Sequence, residues 1–211
     1  VTITEATTNA TLLNDVNVAN GTGLITVQSS AITGTYAAVN TALAASALGS
    51  AITGLGAANV TLTAANGTAA DYTPTEINTI DGLTTGTITA STAVATKALI
   101  LDTANGGTNG LDKLDGTHNI TIPAITDVSI SGEQLNSIDA KTTVAITTNA
   151  TTITGSYAAI AAAYASNGIT GLGNEAITVT GGITVTQANA LNALTPGIVT
   201  ATISTTDMAT L

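Results

Sequence analysis

The chain has 211 residues, no cysteine and a formal net charge of −10, from 13 acidic and three basic side chains. Three small residue types, 46 Thr, 38 Ala and 21 Gly, make up half of it, and aromatic residues only 2%. Three isolated lysines exclude nucleic-acid binding and attraction to an anionic membrane surface, both of which need clustered basic residues, and a hydrophobic content of 44% excludes a disordered chain.

Internal repeats organise the sequence. The segment Ile32–Val39 (ITGTYAAV) recurs as Ile153–Ile160 (ITGSYAAI). A second family occurs three times, as Thr75–Ala90, Gly132–Thr147 and Thr186–Ala201. The spacing of these copies predicts a unit of about 26–29 residues, of which about seven fill the chain.

Two patterns predict the secondary structure inside the units. The Ala-rich segments Thr35–Ser50 and Ser156–Gly168 favour the longest helices, because alanine has the highest helix propensity. Ile183–Thr202 starts with β-branched alternation, continues with apolar residues three apart, turns at Pro196-Gly197 and returns to alternation, which predicts strand, short helix and strand. The apolar residues at equivalent positions of the three copies are expected in the core; they are Ile77, Ile80, Leu135, Ile138, Leu191 and Leu194.

A unit of this size cannot bury its own apolar face, so we expect stacked units. The predicted fold is a repeat solenoid, in which parallel β-sheet coils carry short helices on one side. A pure β-helix is the alternative. Residues 1–211 are expected to form one continuous solenoid segment, cut from a longer repeat protein that continues covalently or stacks end to end.

A resemblance to known proteins follows from the elements INTIDGLTTGTITAS (Ile77–Ser91) and QANALNALTPGIVTATIS (Gln187–Ser204). They resemble the Ala/Thr/Gly-rich repeats of very large bacterial cell-surface proteins, notably those of marine cyanobacteria. The resemblance implies a structural role at the cell surface, without a defined ligand or active residue.

The densest polar cluster lies between Asp102 and Asn119. Its candidate metal ligands are Asp102, Asp112 and Asp115, because calcium prefers hard oxygen ligands on a flexible loop. Gly106–Leu114 resembles a calcium-binding nonapeptide with one inserted residue, but it occurs once, whereas such sites are built from tandem copies. A turn rich in Asn, Gly and Asp explains the same residues without calcium.

Catalytic chemistry has little support in the sequence. His118 is the only histidine and is expected to be an exposed turn residue. Without cysteine or arginine, the chain lacks the residues of a structural zinc site and of a lyase that stabilises a carboxylate charge. Asn78, Asn136 and Asn189 hold one position in three copies, which predicts amides that bond the backbone of a turn.

The sequence therefore predicts a non-enzymatic structural module of an extracellular surface, fibre or filament protein, with no cofactor, no nucleic acid and no membrane insertion. The alternative is a ligand-presenting or calcium-dependent adhesin, or a phage fibre.

Overall fold

The computed structural model describes residues 1–49, 51–64, 72–92, 96–103 and 106–204. Within these ranges the chain is an α/β fold with 14 strands and seven α-helices. The helices are α1 (Ala10–Asn20), α2 (Tyr36–Leu48), α3 (Pro74–Asp81), α4 (Lys97–Ile100), α5 (Gly132–Asp139), α6 (Tyr157–Ala165) and α7 (Val185–Asn192). The strands are β1 (Thr2–Ile3), β2 (Thr7–Asn9), β3 (Ile25–Val27), β4 (Ala31–Gly34), β5 (Ile52–Thr53), β6 (Asn59–Leu62), β7 (Ile88–Ser91), β8 (Asn119–Thr121), β9 (Ser129–Ser131), β10 (Ile146–Thr147), β11 (Thr152–Gly155), β12 (Ile169–Thr170), β13 (Ala176–Ile183) and β14 (Val199–Ile203).

The strands form four sheets in the described part of the chain. The largest has the order β2-β4-β6-β7-β8 and the next β14-β13-β11-β9, while β1-β3-β5 and β10-β12 form smaller sheets. All of these strand pairs are parallel. Parallel neighbours need a crossover connection, and helices occupy most of these connections.

The predicted solenoid is wrong, and so is its pure β-helix alternative. The strands are short and belong to separate sheets, and the connections are helical: α1 has 11 residues, whereas β2 and β3 on either side of it have three each. The helices also pack on one another, α1 on α2 and α5 on α6. Layers of helix and parallel sheet therefore enclose the core, and the described residues form no closed or coiled solenoid.

The expected uniform unit is also not observed. Paired residues are 24 positions apart at Thr2 and Thr26 and 30 apart at Thr89 and Asn119. Near the C-terminal end the separation falls to 22, between Ile177 and Val199. Helices and loops of different length absorb these differences.

Local capping signals decide where the short helices begin. In each of α3, α5 and α7, a Thr or Ser hydroxyl accepts the N–H of the third helical residue, and that residue's Glu or Gln side chain accepts the N–H of the capping residue. These reciprocal pairs are Thr73 and Glu76, Ser131 and Gln134, and Thr184 and Gln187. Both Ala-rich segments form helices, α2 capped by Thr35 and α6 capped by Ser156. The expectation that these are the longest helices is confirmed for α2 and wrong for α6, because α6 has nine residues and α1 has 11.

Gly86 and Gly197, which follow two of the repeated helices, do not cap them. Helix α3 ends at Asp81, with Gly82 as its C-cap, four residues before Gly86. A Cβ at Gly86 would lie 2.2 Å from the carbonyl oxygen of Ala58, and one at Gly197 would lie 2.1 Å from that of Glu175. Both glycines are therefore required where two backbone segments approach closely.

The buried apolar side chains form one cluster made almost entirely of Ile, Leu, Val and Ala. Five of the six residues expected in the core are fully buried: Ile77, Ile80, Leu135, Ile138 and Leu191. The expectation for Leu194 is wrong, because it lies beyond the end of α7 and is 38% exposed.

We expect Leu191→Ala to lower the free energy of unfolding by about 2–4 kcal/mol, since truncation of a fully buried leucine leaves a cavity. Leu194→Ala is the matched control, with an expected loss below about 1 kcal/mol, because its side chain is partly solvated. Urea unfolding followed by circular dichroism measures both. Equal losses for the two variants would contradict the difference in burial.

Candidate functional site

The strongest cluster of chemically active groups is a buried pair, Asp81 and His118. Asp81 is the last residue of α3, and His118 directly precedes β8. The His118 Nε2 and Asp81 Oδ1 atoms are 2.9 Å apart, and the two side chains are 5% and 6% exposed. The expectation that His118 is an exposed turn residue is therefore wrong.

The two nitrogens of the His118 ring have different surroundings. Nδ1 accepts the backbone N–H of Ile88 at 3.1 Å. Nε2 lies 2.9 Å from Asp81 Oδ1, but the two buried atoms do not form a hydrogen bond. A catalytic histidine needs one nitrogen free to take a proton, and a metal-binding histidine needs a free lone pair. In His118, Nδ1 is engaged by Ile88, while Nε2 is buried against the Asp81 carboxylate, so the pair connects chain segments away from solvent.

The environment of Asp81 fits the same interpretation. Burial raises the pKa of the Asp81 carboxyl, while a backbone hydrogen bond from Asp115 and the nearby His118 oppose part of that effect. Its second oxygen, Oδ2, accepts the Asp115 N–H at 2.8 Å. Asp81 therefore ties the C-terminal end of α3 to two points of the segment that follows the 3-10 helix Leu111–Lys113.

One group of three metal-ligating side chains is found in the described part of the chain. It consists of Asp81, Asp115 and His118, with one ligand atom from each within 4.8 Å of the others. A cation there would have to compete with the Asp115 N–H for Asp81 Oδ2. His118 Nε2 and Asp81 Oδ1 are buried without a hydrogen-bond partner, so hydrogen bonding does not exclude these two atoms as ligands.

The three aspartates expected to bind calcium occupy different surroundings. Asp102 is buried and has a positive φ of 49°. Asp112 pairs with Lys113 at 2.6 Å, and Asp115 belongs to the cluster with Asp81 and His118. Calcium takes six to eight oxygen ligands. The carboxylates of these three aspartates do not converge on one point, so they do not form such a ligand set. Calcium binding stays a prediction that the geometry does not favour.

The prediction that the repeated asparagines bond the backbone of a turn is confirmed for Asn78 only, because Asn136 bonds a helix carbonyl instead. Asn78 Nδ2 donates to the carbonyls of Asn109 and Gly110, both at 2.9 Å. Asn136 Nδ2 donates to the carbonyl of Ala159 at 2.9 Å. In each case the amide bonds the backbone of the following unit. Asn189, the third copy, lies on the exposed side of α7.

Sequence reasoning missed a set of buried threonines with a shared role. Thr84 Oγ1 donates to the Ala58 carbonyl at 2.7 Å and accepts the N–H of Gly86. Thr142 and Thr195 repeat both contacts, with the carbonyl of an earlier strand region and with the N–H two residues on. These threonines share a sequence position just after each repeated helix. With 46 threonines in the chain, that shared position does not stand out in the sequence.

A second buried acid, Glu175, organises the turn before β13. Its Oε2 accepts the Tyr164 hydroxyl at 2.7 Å and the N–H of Gly173 at 2.8 Å. Burial raises the pKa of Glu175, but hydrogen bonds from Gly173, Tyr164 and other donors outweigh it, so the pKa is lowered. Burial and the neighbouring carboxylate raise the pKa of Tyr164.

Comparison with protein-family models, curated proteins and solved structures gave no match for this chain. Among the described residues, every helix is too short or too polar to cross a membrane.

We expect His118→Ala to lower the free energy of unfolding by about 3–5 kcal/mol, because it leaves the Asp81 carboxylate buried without its partner. Denaturant unfolding of the single variants and of Asp81→Ala/His118→Ala tests the coupling. The double variant should lose less than the two single losses added together. Additive losses would show that the two side chains act independently.

The Glu175 carboxylate should stabilise the fold only while it is ionised. Its pKa in the folded chain lies below the ordinary value of 4.5, so its contribution is present above that value and is lost as the pH falls through the folded pKa. Unfolding curves of the wild type and Glu175→Gln should therefore differ at neutral pH and converge in acid. A difference that grows as the pH falls would contradict the shift.

Proposed function

We propose that this chain is a non-catalytic structural module of an extracellular surface, fibre or filament protein. The observation that carries the proposal is the use of its polar side chains. Thr84, Asn136 and Asp81 direct their hydrogen bonds to the backbone of neighbouring units. These hydrogen bonds stabilise the packing of adjacent units within the chain, which is what a structural module requires.

The arrangement of the titratable groups supports the non-catalytic part of the proposal. In the pair with the most reactive chemistry, Ile88 engages His118 Nδ1 and Asp115 engages Asp81 Oδ2, while the other two atoms are buried against each other. Catalysis needs a nucleophile or a base with a free lone pair pointing at a substrate. His118 is 4% exposed, so a substrate has no access to its ring.

The extracellular part of the proposal is supported by the resemblance of the repeats. The net charge of −10 favours solubility, and the lack of cysteine fits an extracellular and a cytosolic protein equally. The repeats of this chain resemble those of large bacterial surface proteins. The calcium-dependent alternative is less well supported, because Asp112 pairs with Lys113 while Asp115 lies beside Asp81.

Labelling of intact cells tests this proposal. Antibodies raised against residues 1–204 should bind intact cells of the producing organism, and protease added outside the cells should remove the signal. A cytoplasmic protein detected in parallel is the control for lysis. Labelling that appears only after permeabilisation would overturn the extracellular assignment.

A calcium-dependent role predicts a different result in a separate measurement. We expect the thermal midpoint of the purified chain to be the same in calcium chloride and in a chelator, with Asp112→Ala as the matched variant. A midpoint that falls on chelation in the wild type and not in Asp112→Ala would favour the calcium-dependent adhesin.

A further inference from the structure

We propose that the surface formed by α7 and β14 binds the surface formed by α1 and β2 of a second copy of this chain, head to tail. The inference rests on the proposed structural function and names the partner of that module. We call the first surface the C-terminal face and the second the N-terminal face. Equivalent contacts between neighbouring helices inside the chain indicate which polar groups of each face would bind the other.

The C-terminal face is a shallow groove of about 450 Å³. It is lined by Ala188, Asn189, Asn192, Val199, Ala201 and Ile203. In β7 the inward-facing residues Ile88 and Ala90 are 0% and 5% exposed, whereas the corresponding apolar residues of β14 are only partly buried. β14 is also the outer strand of its sheet. This face therefore resembles an internal layer from which the covering layer is missing among the described residues.

The interior of the chain shows what such a layer binds. Asn14 of α1 donates to the carbonyl of Ala38, the third residue of α2, and Asn136 of α5 donates to that of Ala159, the third residue of α6. Three residues after Asn136, Asp139 accepts the hydroxyl of Ser166 at 2.7 Å. On α7 the equivalent positions are Asn189 and Asn192, and both are exposed. Their amides are placed to bond the first turn of another helix.

The N-terminal face presents such a helix. The third residue of α1 is Leu12, whose side chain is 65% exposed. The adjoining groove of about 400 Å³ is apolar, with Ile3 and Val16 on its wall, and carries the carboxylates of Glu5 and Asp15. β2 is the outer strand of the five-stranded sheet. This face therefore offers a helix carbonyl, apolar surface and two anionic acceptors.

The polar groups of the two faces fit a second copy as the partner. The chain carries a net charge of −10, so repulsion between acidic groups is the main obstacle to self-association. Positions 81 and 139 at the ends of α3 and α5 are aspartates, but position 192 at the end of α7 is asparagine. A neutral amide there donates to Glu5 or Asp15 of the neighbour, whereas an aspartate would repel both.

Geometry then sets the form of the assembly. All the sheets are parallel, so β14 of one copy meets β2 of the next in the same direction as the internal pairs. The two faces are different surfaces, so the contact is heterologous and leaves one free face at each end. A growing row of copies is expected, not a closed dimer.

Sedimentation equilibrium of the 211-residue chain and its variants tests the proposal. The wild type should show average masses that rise with concentration. Asn189→Asp/Asn192→Asp should weaken association at least tenfold, since it sets two carboxylates against Glu5 and Asp15. Asn149→Asp/Asn167→Asp adds the same charge at exposed positions elsewhere and should associate like the wild type. Glu5→Gln/Asp15→Asn, combined with Asn189→Asp/Asn192→Asp, should restore association.

A mixing experiment separates this contact from any other. Leu12→Asp blocks the N-terminal face, so this variant alone and Asn189→Asp/Asn192→Asp alone should both be monomeric. Their mixture should form a one-to-one dimer, because each variant keeps the face that the other has lost. Larger assemblies should not form, since the dimer has no second pair of intact faces. Unchanged circular dichroism of each variant shows that it is folded.

The proposal would be overturned by any of three outcomes: a wild type that stays monomeric, a mixture of the two variants that stays monomeric, or face variants that associate as strongly as the wild type. If removal of residues 205–211 converts a monomeric wild type into an associating chain, the occupant of the C-terminal face is this chain's own C-terminal segment. None of these results alters the surface labelling, so the two proposals fail independently.

Discussion

The structure depends on hydrogen bonds from short polar side chains to the backbone of the neighbouring unit. Thr84 bonds the carbonyl of Ala58, and Asn136 bonds that of Ala159. Small residues make the layers thin and leave little apolar area per unit, so burial alone specifies the alignment of layers weakly. Each side-chain bond satisfies a backbone group that would otherwise be costly to bury, and it fixes the register of adjacent layers.

A chain rich in small residues also lets backbone segments of adjacent layers approach closely. At Gly86 and Gly197 a single added carbon would meet a carbonyl oxygen of the preceding layer. The threonine two residues earlier bonds that same carbonyl, through Thr84 in one copy and Thr195 in the other. Thr-x-Gly is therefore one device, in which the hydroxyl attracts the neighbouring backbone and the glycine leaves room for it.

The sequence predicted local elements well because their signals are local. Alanine propensity and N-caps place α2 and α6, and apolar residues three apart identify Ile138 and Leu191 as core positions. The solenoid prediction was wrong because repetition in sequence specifies that units contact their neighbours, not whether the strands merge into continuous coils. His118 was misjudged for a related reason: its partner Asp81 is 37 residues away, and no local pattern connects them.

The sequence by itself determined the composition of the core and the position of the Ala-rich helices α2 and α6. Those features depend on residues within one turn of helix or one strand, which the chain order displays directly. Tertiary structure alone decided the grouping of strands into four sheets and the burial of the Asp81–His118 pair. It also decided that Asp115 lies beside Asp81 and His118, apart from Asp112. Each of these depends on contacts between distant residues, whose free energies are set by packing and desolvation and leave no periodic trace in the sequence.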